Sequence, residues 1–511
     1  MVPRAQTSPD RTPPIDPEEP LGPTRHFKPV PILLSVLAAF IVAQLRIPHL
    51  GPAAHDTLTI LTLAIGLWFT EAVPIVVPAL LIPILATMMG VTTVRGAFSG
   101  FGDPIVYMFL GTFLLTESAA RHGLNARLAA TVMNAHWVRG NPKHLIWALA
   151  LLGCAISAFV NNTATTAMIL PLALTAERTH HRGLLVGALL MAAYAPSLGG
   201  FATPVGTAPN LIGLGLLEAA TGVRPSFGRW MLVFAPLAIL FTIGSAAWLR
   251  WRAGSVAPVE LTRDTAIPAP SIARPWSLAE RLLVPVFGVV VLLWIGPGLL
   301  QSMPALANAP FLELLRKRLP ETVVPLFGGL LLFLLPSGGP GAGGRRGWRN
   351  GERILDVSVF RRLEWSTLLL FGGGLSLGVM MFDTGLAHWI GGGLANLLRL
   401  EGTPLAGTFG VVLVSTLLGV LVSEITSNTA SASLVVPVAI ALAQVAGVDP
   451  VKPALAATVA CSFGFMLPVS TPPNALVYST GRLRVREMIA NGALLDLAGI
   501  AVVSVWVTLF A

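Results

Sequence analysis

Long apolar segments follow one another through most of the chain, and polar residues gather in short clusters between them and, twice, inside them. With about 20 apolar residues needed to cross a bilayer, the pattern predicts spans near 29–45, 57–73, 75–92, 104–121, 183–219, 230–249, 279–300, 322–336, 365–398, 452–480 and 489–510. Two further apolar stretches, near 143–177 and 404–446, carry a polar cluster at their middle: Val160-Asn161-Asn162-Thr163 and Thr426-Ser427-Asn428-Thr429. A spanning helix would hold those groups at mid-depth without partners. A re-entrant hairpin places them at its tip, beside a polar cavity. The expectation is an all-α integral membrane fold of about eleven transmembrane helices plus two re-entrant hairpins.

The polar clusters also reveal an internal repeat. Asn162-Thr163-Ala164 matches Asn428-Thr429-Ala430 at an offset of 266, and Pro171 matches Pro437 at the same offset. Upstream, Gly123-Leu124-Asn125 pairs with Gly385-Leu386-Ala387 at 262. Downstream, Gly206-Thr207-Ala208-Pro209-Asn210 pairs with Ser470-Thr471-Pro472-Pro473-Asn474 at 264. Three blocks in one order with so little drift point to duplication. An odd number of spans between equivalent elements makes the two halves inverted, a signature of secondary transporters.

The domain reading follows from these blocks: a tail over 1–28, a first membrane half over 29–250 with hairpin 143–177, a linker over 251–278, and a second half over 279–511 with hairpin 404–446. Seven prolines and scattered charge make the tail read as disordered and cytoplasmic. No secretory signal is evident.

Composition narrows the function. Of 511 residues, 54% are hydrophobic and only 11% charged, against about a quarter charged in soluble domains. A soluble enzyme and a nucleic-acid binder are excluded, so the net charge of +9 reads as topology. With the N-terminus inside, 24 of the 33 lysines and arginines fall on cytoplasmic segments. The expected location is the cell's inner (plasma) membrane. Two cysteines, Cys154 and Cys461, lie in apolar sequence and read as packing residues.

At each hairpin tip one helix ends and another begins, exposing carbonyls of partial negative and N–H groups of partial positive charge. Ser157, Asn161 and Asn162 in the first tip, and Ser423, Thr426 and Asn428 in the second, offer oxygens suited to a small hard cation such as sodium. Amide and hydroxyl donors of Asn162, Thr163, Asn428 and Thr429 suit an anion. The breaks at Gly206-Thr207 and Ser470-Thr471 add carbonyls and hydroxyls from the opposite side. Pro209, Pro472 and Pro473 make a continuous helix there unfavourable. Such a site binds a carboxylate or sulfate without a buried arginine.

These two tips, taken with the two Pro-Asn breaks, resemble the divalent anion–sodium symporter (DASS) family from about residue 30 to the C-terminus. The resemblance implies import of dicarboxylates, citrate or sulfate by a homodimer, with scaffold and transport domains and an elevator motion. By the same resemblance, Ser157, Asn161, Asn162 and Gly206 fall on one sodium site, and Ser423, Asn428 and Ser470 on a second. Asn162, Thr163, Thr207, Asn428, Thr429, Thr471 and Pro472 fall on the substrate site. One departure stands out: Asn161 occupies a position where the family usually has serine.

A single polar pair in a membrane helix often only bonds to a neighbouring helix, but two copies beside broken helices do not read that way. Glu71 and Glu117 read as structural, and Glu424 as orienting its tip or binding directly. His180-His181 reads as solvated rather than as a metal site. The expected function is sodium-coupled import of small divalent anions, C4-dicarboxylates such as succinate or malate first among them. Alternatives are a sodium-independent exchanger of the same fold and a sulfate transporter. A membrane enzyme or channel is disfavoured, since no catalytic cluster of histidines or paired carboxylates sits in the spans. No cofactor is expected beyond sodium as coupling ion, and the partners are the anion, sodium and the bilayer.

Overall fold

The computed structural model describes residues 28–138, 144–254, 275–301, 309–338, 352–399 and 407–511. Residues 1–27 of the expected 1–28 tail and most of the linker, 255–274, lie outside the described residues, as do 143 and 404–406 at the hairpin edges. Everything described is helix and connecting loop, apart from an isolated bridge between Pro336 and Arg353.

The repeat is visible helix by helix. In the first half, Pro104–Arg121, Leu124–Met133, Leu145–Ser157, Asn162–Leu174, Arg182–Gly200, Ala208–Thr221 and Phe227–Arg252 follow in order. Their counterparts are Trp365–Asp383, Leu386–Leu397, Thr408–Ile425, Asn428–Val445, Val451–Ala460, Pro472–Ser479 and Val485–Phe510. The second helix of each set begins on a left-handed glycine, Gly123 at φ 80° and Gly385 at φ 79°. A side chain there would be strained, which is why glycine marks both turns.

The local sequence explains the interruptions. The helix ending at Ser157 restarts at Asn162 because Asn161 turns extended and its Oδ1 accepts the Thr163 and Ala164 N–H groups. The Ser427 Oγ does the same for Ala430 at the start of the later helix. The breaks after Gly200 and Ala460 end where proline enters the first turn of the next helix, a position that needs no N–H donor.

Eight described helices are long and apolar enough to cross a membrane, and two of them, Thr408–Ile425 and Asn428–Val445, are the arms of the second hairpin. Several expected spans are shorter apolar helices, among them Pro29–Gln44 and Val76–Met88. The expected 183–219, 365–398 and 452–480 each resolve into two helices, because a glycine turn or a broken loop interrupts the apolar run.

Packing interlocks the halves. Leu145–Ser157 packs on Arg182–Gly200, and Thr408–Ile425 on Val451–Ala460, its counterpart pair. Ala208–Thr221 then packs on Asn428–Val445, while Pro472–Ser479 packs on Asn162–Leu174. Each half's broken helix thus lies against the other half's hairpin, and both tips meet both breaks. Hydroxyls inside the helices are satisfied by their own i−4 carbonyls, as for Thr112, Ser415, Thr416 and Thr458. At the second tip Thr426 does the same towards Val422, whereas Asn161 and Ser427 cap the helices that follow them.

Candidate functional site

One cavity of about 340 Å³ lies where the tips and breaks converge. Asn161, Asn162 and Thr163 line it from the first tip, and Ser427, Asn428 and Thr429 from the second. Gly206, Thr207 and Ala208 line it from one break, and Thr471, Pro472 and Pro473 from the other. All seven residues expected at a substrate site therefore border a single space. Ser157, Ser423 and Ser470 lie behind this lining, each at most 1% exposed.

Four helices begin at this cavity, with Asn161, Thr207, Ser427 and Thr471 as their N-caps. A helix N-terminus carries about half an elementary positive charge, so four converging ends supply roughly +2. Among the described residues lining the cavity there is no lysine or arginine. Positive potential here is a property of the backbone, and such ends hold carboxylate, phosphate or sulfate groups.

Behind each tip the two halves repeat the same bonds. The Ser157 hydroxyl donates to Asn162 Oδ1 at 2.6 Å, and the Ser423 hydroxyl to Asn428 Oδ1 at 2.8 Å. Asn210 Nδ2 donates to the carbonyls of Gly200 and Thr203 at 3.0 and 2.7 Å. Asn474 Nδ2 donates to those of Gly464 and Leu467, both at 2.9 Å. These amides hold the broken loops in shape.

Backbone oxygens crowd the first break. A Cβ on Gly206 would meet the carbonyl oxygen of Gly200, and would lie 2.8 and 3.0 Å from those of Ser157 and Ala158. Glycine is what leaves that space open. At the second break Ser470 takes the equivalent place and donates its hydroxyl to Glu424.

Asn161 is placed at the cavity, with its Oδ1 engaged as the helix cap at 2.6 Å from the Thr163 nitrogen. Glu117 reaches Arg362 at 3.7 Å. Glu71 ends Pro52–Thr70 in a left-handed conformation, and the His181 ring accepts the Leu184 N–H at a helix start. Cys461 is fully buried and Cys154 partly so, both as free thiols.

Some lining residues had no distinctive sequence signal. Thr112 and Thr116 face the cavity from Pro104–Arg121, and Glu364, Ser366 and Thr367 from the start of Trp365–Asp383. Glu364 is the one charged residue among the described lining, and Thr367 donates to it at 3.3 Å. Burial pushes its carboxyl above the usual carboxylate range, against the lowering effect of hydrogen bonds from Thr367 and Asn161. In sequence it stands only as a charge at the edge of an apolar segment, Glu364-Trp365-Ser366-Thr367.

A polar cavity built from helix ends within a bundle of apolar helices fits a membrane transporter. The pattern of the family described as "Sodium:sulfate symporter transmembrane region" matches residues 28–511, and the chain belongs to that family, the divalent anion–sodium symporters. It is 29% identical over 451 residues to the sodium-dependent dicarboxylate transporter SdcS of Staphylococcus saprophyticus, covering 85% of this chain and 82% of that protein. To SdcS of Staphylococcus aureus strain USA300 it is 27% identical over 439 residues, covering 83% and 80%. Among solved structures, the YdaH transporter of Alcanivorax borkumensis, described as having an unusual topology, shares the fold. The TM-score is 0.53 at 16% identity, covering 89% of this chain and 98% of that one.

Proposed function

We propose that this protein imports small divalent anions, with C4-dicarboxylates such as succinate or malate as its substrates, coupled to the entry of sodium. The four helix N-termini around a cavity free of basic side chains carry this reading, since their summed charge of roughly +2 complements a dianion. Asn162, Thr163, Asn428 and Thr429 supply donors from the tips, and Thr207 and Thr471 supply hydroxyls from the breaks. Pro472 brings the end of its helix close without a competing N–H group.

Sodium belongs, in this reading, behind the substrate. Ser157, Asn161, Asn162 and the carbonyls around Gly206 form one site, and Ser423, Asn428 and Ser470 the other. Cations placed there offset the negative charge of the substrate, so binding of each strengthens binding of the other. The interlocked hairpins and broken helices act as a transport domain that moves as a unit in elevator fashion. The remaining helices form the scaffold of a homodimer in the plasma membrane, with the N-terminus cytoplasmic.

A thermal-shift screen of purified protein tests the site. A ligand that binds the folded state raises apparent stability by RT ln(1 + [L]/Kd). Succinate should raise the midpoint only when sodium is present, and more than sulfate does. Stabilisation by succinate that is equal in sodium and in choline would contradict coupled binding, and a larger shift with sulfate would move the substrate to the inorganic anion.

A further inference from the structure

At two of their equivalent positions the second half carries polar groups that the first half lacks. Glu424 lies four residues before Asn428, and at the same offset of 266 the first half has Ala158. Ser470 at the second break has Gly206 as its counterpart at 264. The carboxylate and the hydroxyl it meets are thus both present in one half and both missing from the other.

Glu424 is 3% exposed and fully engaged. Its Oε1 accepts the Met466 N–H at 2.8 Å. Its Oε2 and its own backbone carbonyl each lie 2.8 Å from Ser470 Oγ. A serine hydroxyl has one proton to give. With that proton directed at Glu424, the lone pairs of Ser470 point away from the carboxylate. Across Gly464, where an added Cβ would lie 3.2 Å from both the Ser423 carbonyl and Ser470 Cβ, these oxygens share one small space.

A second buried carboxyl stands behind the first. Asp496 is 2% exposed, and its carboxyl lies within hydrogen-bonding reach of the Glu424 carboxyl and of the Phe465 backbone. Tyr194 packs beside them and donates to the Phe465 carbonyl at 3.1 Å. Among the described residues neither carboxyl forms an ion pair with lysine, arginine or histidine. Glu424 thus has hydrogen-bond donors but no basic side chain opposite it, and a cation beside Ser470 would supply a counter-charge.

We propose that Glu424 makes the two cation sites unequal. It orients the Ser470 hydroxyl as a ligand and adds a negative charge that the first site lacks, so the second sodium binds more tightly and ahead of the first. Glu424 acts through Ser470 and is a positioning residue, in the way that outer groups tune metal ligands elsewhere. This rests on the sodium-coupled reading above.

The test is uptake of radiolabelled succinate into proteoliposomes, titrated with sodium, for wild type and Glu424→Gln. Glutamine keeps the length of the side chain and an oxygen for Ser470. The half-saturating sodium concentration should rise at least tenfold, while half-saturating succinate at saturating sodium changes less than threefold. A purely structural role would lower the maximal rate and leave sodium dependence where it was, which would overturn the proposal. Should Glu424→Gln not reach the liposomes, Ser470→Gly gives the second break the glycine of the first and removes the hydroxyl that Glu424 holds, leaving the carboxylate in place. A rise of at least threefold in half-saturating sodium supports the proposal, and no rise refutes it. Wild-type uptake indifferent to sodium would overturn the symport reading and this inference with it, whereas sodium-driven wild-type uptake with unchanged variants would overturn this inference alone.

Discussion

Replacing Asn474 and Asn428 separately by alanine separates the groups that hold the broken loop from those that face the cavity. Asn474 is 1% exposed, and its amide donates to the carbonyls of Gly464 and Leu467, both at 2.9 Å. Asn474→Ala leaves two buried acceptors unsatisfied at about 1–3 kcal/mol each, so roughly 2–6 kcal/mol in all. Asn428 instead accepts one neutral hydrogen bond, from Ser423 at 2.8 Å. Its loss costs about 0.5–1.5 kcal/mol. Thermal unfolding in detergent, followed by tryptophan fluorescence, should show a clear loss of stability for Asn474→Ala and a small one for Asn428→Ala. Succinate uptake should reverse the contrast: Asn428→Ala reaches the membrane but transports nothing, while the transport defect of Asn474→Ala scales with its folded fraction. Equal destabilisation of both, or transport retained by Asn428→Ala, would refute the reasoning.

Three further changes probe other parts of the fold. Gly199→Ala drives a methyl group against the Cys154 carbonyl where the first hairpin meets Arg182–Gly200, and overpacking of this kind should cost about 1–3 kcal/mol in thermal unfolding. Arg127 and Glu280 form a two-pronged ion pair at 3.0 and 3.1 Å, with Trp276 stacked 4.8 Å from the guanidinium, which also donates to the Pro275 carbonyl; Glu280→Ala should cost about 1–3 kcal/mol by removing the charged partner, read as a fall in unfolding midpoint with substrate half-saturation unchanged. Glu364 has a raised pKa in the folded protein, so its neutral form is favoured there, and stability from this group grows as pH falls through the folded pKa. The same protonation removes negative charge from an anion cavity. Uptake of sulfate, whose own charge is constant over this range, should therefore rise as pH falls towards the ordinary glutamate value of about 4.3, and Glu364→Gln should flatten that rise.

The helix breaks were legible because they are polar or proline-rich interruptions of apolar sequence, and a duplicated chain shows each one twice. Asn162 with Asn428, and Thr207 with Thr471, could be placed at one site from their offsets. Helix ends were legible in places, as at 104–121, where the expected segment and the observed helix coincide, but not at 57–73 or 75–92, where they differ by several residues. What was not legible depends on contacts between distant segments. Thr112 and Thr116 look like any hydroxyls that bond their own helix, and only the approach of the tips makes them lining residues. Glu364 is one charge at the edge of an apolar segment, and only the fold turns it towards the cavity. The roles of Asn210 and Asn474 were hidden because their partners are loop carbonyls whose position no pattern of apolar residues encodes. Glu424 could be noticed in sequence as a charge beside the second tip, but its bond to Ser470 needed the fold to bring residues 46 positions apart together.

The central claim is coupling of anion entry to sodium, and flux tests it most directly. Purified protein in proteoliposomes should accumulate radiolabelled succinate above the external concentration when sodium is high outside and absent inside. It should fail to do so when choline replaces sodium or a sodium ionophore collapses the gradient. Uptake that ignores the sodium gradient but requires dicarboxylate inside the vesicles would contradict symport and identify an exchanger.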